Sequence, residues 1–190
     1  MMITPRTPAL FRRLDLLEWS LCHRLAVATS AAPLPLGLLR LASRVGDWPA
    51  WVLLIALQPL LHGALGWRLM LHFSLTALVA VSLYRLIKTR LCRERPSITF
   101  RAIPCREPPR DRYSFPSGHT LHAVIFSLLT AATQPWLLLL VLPLALLIAL
   151  SRVGLGLHYI SDVIGGALLG LTIGLISLYW LPVTTQALAH

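Results

Sequence analysis

A histidine and an aspartate four residues apart, His158 and Asp162, follow an arginine, Arg152, where two long apolar runs meet. Those runs cover residues 136–150 and 163–181. Ionisable groups at membrane depth are costly to keep and mark functional sites. In a helix that starts at about Tyr159, His158 and Asp162 share one face and can touch. A carboxylate beside an imidazole sets its tautomer and stabilises its charged form. That prepares a histidine for nucleophilic or acid–base work. The plainer alternative is a polar joint that merely links two helices.

Two further groups belong with this one. Phe115-Pro116-Ser117-Gly118-His119 reads as a helix start, with Ser117 or a neighbour as its cap. Backbone N–H groups at a helix start favour anions, and Gly118 leaves room for a ligand to approach. His119 then stands in the first turn, beside whatever anion binds there. Lys88, the only lysine among 17 basic residues, precedes Arg95-Pro96 at the end of an apolar run. Alone, that pair would pass for the basic flank of a membrane span.

The chemistry requires elements that bring these groups to one place. Residues 67–87, 117–133, 136–150 and 159–181 read as apolar helices, and residues 88–114 as a hydrophilic loop with eight basic residues and four prolines. The end of 67–87 and the start of 117–133 share one membrane face. Two further crossings return the chain to that face at Ser151. Lys88, the loop, Ser117, His119, Arg152 and His158 therefore gather on one side.

Composition agrees with this organisation. The chain has 190 residues, of which 56% are hydrophobic and only 13% charged, and its mean hydropathy is +0.72. A soluble domain of this length is less apolar. The formal charge of +10 falls almost wholly on arginine, whose fork suits phosphate. Anionic membrane lipids are the expected partners; nothing resembles a nucleic-acid-binding surface, and no obligate protein partner is evident. The seven acids form no cluster suited to a magnesium or two-metal site, so no metal or other cofactor is expected. Three cysteines at wide spacing match no zinc or redox motif; Cys92 and Cys105 flank the loop and could pair in an oxidising compartment.

Residues 1–15 are polar and basic without the pattern of a secretory signal. Residues 16–44 are apolar but interrupted by Glu18, His23, Arg24, Pro33, Pro35 and Arg40. They form either a weak span or an amphipathic segment in the interface. Residues 48–66 make a span with Trp48, Trp51 and Trp67 at its ends and a kink near Pro59. In the last helix Gly166, Gly170 and Gly174 form a small-residue stripe for close packing. The expected fold is all-α, a multi-pass transmembrane bundle with five spans, or six if 16–44 crosses. The expected divisions are an N-terminal segment 1–47, a membrane domain 48–181 and a tail 182–190.

Assembled, these groups offer three cations, a helix start, two histidines and one carboxylate. That set suits phosphoryl transfer through a phosphohistidine. Lys88, Arg95 and Arg152 would neutralise the phosphoryl oxygens, His158 would attack phosphorus, and His119 would protonate the leaving oxygen and then activate water.

Lys88-x6-Arg95-Pro96, Pro116-Ser117-Gly118-His119 and Ser151-Arg152-x5-His158-x3-Asp162 together resemble the three signature motifs of the type-2 phosphatidic acid phosphatase superfamily. The motifs are complete and in order, and the resemblance covers about residues 48–181. It implies a haloperoxidase-like helical core and a metal-independent membrane phosphatase acting on a lipid phosphate. By that resemblance His158 is the nucleophile, His119 the general acid and Asp162 the partner of His158. Lys88, Arg95, Ser117, Gly118 and Arg152 bind phosphate.

The small size is similar to bacterial undecaprenyl-diphosphate phosphatases, which makes that lipid the first expected substrate and the bacterial inner membrane, with an outward-facing site, the expected location. Phosphatidylglycerol phosphate, phosphatidate and lipid A phosphate compete with it, as do phosphate transfer to a lipid acceptor and a non-catalytic lipid-binding role. His122 is expected to pack between helices. His62 and His72 are expected to be structural. Arg90, Arg93, Arg101, Arg106, Arg110 and Arg112 are expected to meet headgroups or solvent.

Overall fold

The computed structural model describes residues 8–186, with side chains described to Leu181. Arg6 and the last residues of the expected 182–190 tail lie outside the described residues. Nine α-helices follow in order: α1 (Ala9–Ser30), α2 (Pro33–Val45), α3 (Trp48–Ala56), α4 (Gln58–His62), α5 (Ala64–Leu91), α6 (Pro96–Thr99), α7 (Gly118–Thr133), α8 (Leu138–Gly154) and α9 (Ile160–Gln186), all among the described residues. Strand pairing among them is limited to one isolated bridge between Glu94 and Tyr113. The chain is an all-helical membrane protein.

Three helices are long and apolar enough to cross a bilayer: α5, Pro135–Gly154 including α8, and α9 to Leu181. Two expected spans differ. The 48–66 segment breaks at Leu57 into α3 and α4, because Pro59 falls one residue into a new helix. At Gly63 the backbone turns with φ +58°, which a glycine tolerates, and α5 begins at Ala64. Trp67, expected to open the 67–87 helix, lies in the first turn of α5. Helix α7 has only 16 residues, about 24 Å at 1.5 Å per residue.

Both short elements still run between the same two ends of the bundle. Gln134, just past α7, donates to Gln58 at 3.0 Å and also contacts His62. At the other end His119 meets Asp47, just before α3. The chain thus passes five times between the ends, through α3–α4, α5, α7, α8 and α9.

Helices α1 and α2 are bent by 109° against each other, and their contacts decide how they lie. Asp15 meets Arg93 and Ser30 meets Arg106, so both ends of α1 touch the 88–114 loop. Arg40 donates to the Arg106 carbonyl, Ser43 to Glu107, and Arg110 pairs with Asp47 after α2. The pair wraps the loop end of the bundle. By length and composition the two helices together pass as one broken span; their contacts with the loop all lie at one end, as an amphipathic segment there would have them.

The core centres on Phe73, Leu121, Ile125, Phe126, Leu129 and Ile148, all fully buried. Trp51 stacks on Phe126 at 4.9 Å, fixing α3 to α7. Leu139, Leu146, Leu168 and Leu175 point outward and are exposed, as lipid-facing side chains are. Helix α9 lies against α7 along its glycines. A Cβ on Gly166 would come within 2.5 Å of the Ser117 carbonyl oxygen, and one on Gly170 within 2.6 Å of that of Leu121. The contact is backbone against backbone, so it cannot yield by turning a side chain. Gly170→Val should cost about 1–3 kcal/mol of stability and lower the melting temperature of the purified protein in detergent. A variant as stable as wild type would contradict this packing.

Candidate active site

The end of the bundle that carries the loop also gathers the candidate site residues. Ser117 caps α7 by accepting the Thr120 N–H, and its own N–H donates to the Asp162 carbonyl at 3.0 Å. The starts of α7 and α9 are thereby fixed to each other. Lys88 comes from the last turn of α5, Arg95 precedes α6, and Arg152 lies in the last turn of α8. A cavity of about 590 Å³ is lined by Lys88, Arg95, Gly118, His119, Arg152 and His158 together. Six of the eight residues singled out in the sequence thus meet at one cavity. Ser117 and Asp162 stand directly behind it, fully buried.

The geometry of His158 settles its tautomer. Arg95 Nη1 lies 3.2 Å from His158 Nε2 and also donates to the Leu157 carbonyl at 2.8 Å. A guanidinium only donates, so Nε2 accepts and the ring proton sits on Nδ1. Nδ1 is 3.5 Å from Asp162 Oδ2, longer than a hydrogen bond. That oxygen accepts the Tyr159 N–H at 2.8 Å instead. Catalytic hydrogen bonds of unliganded sites often tighten only with substrate. Burial first, and then Arg95, Arg152 and Lys88, push the His158 pKa well below the ordinary imidazole value. His158 is neutral, with the Nε2 lone pair among the cations.

Arg152 is almost wholly buried, and its Nε and Nη1 have no hydrogen-bond partner among the described residues. Buried guanidinium N–H groups are seldom left unmatched, and these line the cavity. They are open to an anion.

Two carboxylates already take anion positions. Asp111 lies on Lys88 Nζ at 3.0 and 3.2 Å and on Arg95 Nη2 at 2.9 Å. Burial works to raise the Asp111 pKa, but Lys88 and Arg95 outweigh it and hold the carboxyl below its ordinary value. Asp47 accepts from His119 Nε2 at 2.7 Å and pairs with Arg110. Burial again acts upward, and His119 and Arg110 overcome it, leaving Asp47 an ionised acceptor. The Nε2 of His119 therefore carries a proton.

Four acids and one arginine of this end escaped the reading of the sequence. Arg93, expected to meet headgroups or solvent, is fully buried and binds Asp15 and Asp162. Asp15, Glu18, Asp47 and Asp111 are its partners or those of other site cations. Asp15, Glu18 and Asp47 lie in different segments from their partners, and Asp111 stands 16 and 23 residues from Arg95 and Lys88 in the same loop, so no local spacing marks any of them. Arg110 and Arg112 do stay exposed, each on a carboxylate. His122 lines the cavity with its Nδ1 2.8 Å from the Gly118 carbonyl and its ring edge-on to Tyr84. His72 bonds Ser177 at 2.8 Å within the bundle, and His62 lies at the far end. Cys92 and Cys105 are not joined; their thiols lie 3.0 Å from the carbonyls of Thr89 and Glu107.

Comparison with known proteins places this arrangement. The family model of the PAP2 superfamily matches residues 69–186, and the chain belongs to that superfamily. It is 31% identical over 144 residues to an undecaprenyl-diphosphatase from Sulfolobus acidocaldarius, covering 74% of this chain and 68% of that protein. It is 39% identical over 102 residues to a decaprenylphosphoryl-5-phosphoribose phosphatase from Mycobacterium tuberculosis, covering 53% of this chain and 54% of the relative. The chain thus spans about two thirds of the first relative and half of the second. Among solved structures, Aquifex aeolicus LpxE superposes with a TM-score of 0.69 at 24% identity, over 86% of this chain and 95% of that one. A PAP2-type phosphatidylglycerolphosphate phosphatase from Bacillus subtilis gives 0.66 at 21% identity, over 92% and 95%. These two establish the fold. The chain is a membrane phosphatase of the PAP2 type.

Because Asp111 occupies the cations a phosphate would use, an incoming phosphate must displace it. The Asp111 carboxylate is half exposed although its two cations are buried, and water on the carboxylate side holds such a pair to about 1 kcal/mol, or roughly fivefold in affinity. Asp111→Asn should therefore tighten inhibition by inorganic phosphate or vanadate by up to about fivefold. Unchanged or weaker inhibition would show that Asp111 does not compete. Its lowered pKa keeps the carboxylate in place at neutral pH, so in wild type the competition should ease only on acidification below the ordinary carboxylate range.

Proposed function

We propose that the protein removes the terminal phosphate of a polyprenyl diphosphate, with undecaprenyl diphosphate the first choice, through a phosphohistidine and without a metal. The observation that carries this reading is the shape of the cavity. One half holds Lys88, Arg95, Arg152, His119 and His158. The other half continues between α3 and α5 along Trp51, Val52, Ile55, Ala77, Leu78 and Val81. A charged headgroup and an apolar chain joined end to end fit that division. The names of two relatives, an undecaprenyl-diphosphatase and a decaprenylphosphoryl-5-phosphoribose phosphatase, each contain a prenyl chain and support the same tail.

In the first step His158 Nε2 attacks phosphorus and the bond to the leaving oxygen breaks. Lys88, Arg95, Arg152 and the N–H groups at the start of α7 hold the phosphoryl oxygens. His119, protonated on Nδ1 as well when the phosphate is bound, gives that proton to the leaving oxygen while Nε2–H stays on Asp47, and the lipid monophosphate departs. In the second step His119 takes a proton from water, whose oxygen attacks the phosphohistidine. Inorganic phosphate leaves and His158 is restored. Asp162 faces the Nδ1 proton and stabilises the positive charge that the ring acquires on phosphorylation.

Phosphate release should be measured with purified protein in detergent and chelator. The panel is undecaprenyl diphosphate, phosphatidate, phosphatidylglycerol phosphate and a lipid A phosphate. Release should be fastest from undecaprenyl diphosphate, persist with chelator, be inhibited by vanadate, and fall by at least about 10³-fold in His158→Ala. Loss of activity with chelator, restored by magnesium, would overturn the metal-free chemistry. A faster rate on another lipid would replace the substrate, and release only with a lipid acceptor present would make the enzyme a transferase.

For location, the family resemblance supports a bacterial inner membrane with an outward-facing site. The charge distribution does not add to it, because Arg12, Arg13, Arg24, Arg40 and Arg44 lie on helices that wrap the same end as the loop. Cys105 reports the side directly, since it is exposed while Cys22 and Cys92 are buried. An impermeant thiol reagent should label wild type, and not Cys105→Ser, in intact cells. Labelling that appears only after lysis would place the site in the cytoplasm.

A further inference from the structure

The guanidinium of Arg93 is enclosed on every side. It is 0% exposed, with the Phe11 ring 4.8 Å from one face and the Tyr159 ring at 4.1 Å. Its edge meets two carboxylates. Nε and Nη2 reach Asp15 Oδ1 at 2.9 and 2.8 Å, and Nη1 donates to Asp162 Oδ1 at 2.7 Å. Nη1 also donates to Ser161 Oγ at 2.7 Å, and Glu18 lies 3.8 Å from Nη2. Glu18 in turn accepts the Ser161 N–H at 2.9 Å. Helix α1 thus grips both Arg93 and the first turn of α9.

The two oxygens of Asp162 have separate tasks. Oδ2 accepts the Tyr159 N–H and faces His158; Oδ1 is held by Arg93. A buried carboxylate is tolerated only with a cation and hydrogen bonds. The neutral His158 supplies no charge, and Lys88 and Arg95 are engaged with Asp111. Arg93 is the cation in contact with Asp162. Its planar fork spans Asp15 and Asp162 at once, which a lysine ammonium cannot do.

We infer that Arg93 is a positioning residue for the reaction, holding Asp162 ionised and aimed at His158, and that α1 serves the active site by holding Arg93 through Asp15. The inference rests on the reading of His158 as nucleophile. It extends the active-site machinery to a helix that lies wholly outside the segment matched to the PAP2 superfamily, and it gives Asp15 and Arg93 a purpose beyond joining that helix to the bundle.

The test is a double-mutant cycle on full-length protein in detergent, with undecaprenyl diphosphate as probe and vanadate as a ligand that reads the phosphate cations. Arg93→Gln and Arg93→Lys should each lower kcat about 10²-fold, with KM and vanadate affinity within about threefold of wild type. Asp15→Asn should give a smaller loss in kcat of the same kind. In an Asp162→Asn background, Arg93→Gln should cost nothing further, because the group it positions is gone. An equal loss in both backgrounds would overturn the inference, since a purely structural role is indifferent to Asp162. Should Arg93→Gln fail to fold, Arg93→Lys and Asp15→Asn carry the same cycle, and full kcat in both would overturn it. Fully active Arg93 variants beside an inactive His158→Ala would sink this inference alone. A His158→Ala variant as active as wild type would remove the reading beneath it as well.

Discussion

Everything at the loop end of this molecule follows from gathering buried cations at the rim of an apolar bundle. Lys88, Arg93, Arg95 and Arg152 are all buried, and burying a charge is unfavourable unless it is paired and hydrogen-bonded. Three of the four have carboxylates: Asp111 for Lys88 and Arg95, Asp15 and Asp162 for Arg93. Arg152 keeps two N–H groups unmatched among the described residues. The site is therefore one anion short at the place where a phosphoryl group would sit. The acids divide by exposure. Asp15 and Asp162 are held from within the fold, whereas Asp111 sits half exposed on the loop and can be exchanged for substrate.

Placing these charges within a few tenths of an ångström falls to backbone contacts more than to side chains. Helices α7 and α9 touch through Gly166 and Gly170, with the Ser117 and Leu121 carbonyls in the space a Cβ would fill. In lipid, apolar side chains gain little by meeting each other, so close packing of small residues does this work. At the top of the same contact the Ser117 N–H reaches the Asp162 carbonyl. The two histidine-bearing helix starts are one rigid unit, and a loop could not hold them so.

Much of this was legible from residue types and spacing. The apolar runs, the glycine stripe and the three motifs identified the bundle, the convergence of Lys88, His119, Arg152 and His158, and the phosphate chemistry. The arithmetic of crossings was sufficient because each run is longer than a turn and ends in a polar group. What stayed hidden has a common cause. Asp15, Asp47 and Asp111 earn their roles from partners 78, 72 and 16 or more residues away, and Arg93 looked like one more arginine in a basic loop. Periodicity reports which face of a helix is apolar; it says nothing of which distant cation a lone acid will meet. The break at Leu57 was hidden for a milder reason. Pro59 is tolerated both as a kink and in the first turn of a new helix, and only the packing of α4 on α5 chooses between them.

The placement of α1 and α2 bears on how a lipid could reach the cavity. These helices close the catalytic end on the side of α8 and α9, through Cys22, Ala26, Val153 and Tyr159. The remaining side is the gap between α3 and α5, whose walls are apolar down to Ile55 and Ala77. Val52 and Leu78 on those walls are exposed, as lipid-facing groups are. A lipid arriving there keeps its tail in hydrocarbon while its headgroup slides among the cations, so the apolar chain is never transferred to water. At about 0.8 kcal/mol per CH₂, avoiding that transfer dominates any headgroup contact for a long lipid chain. The division of one cavity into a charged half and an apolar half is thus a consequence of where the substrate must stay while it reacts.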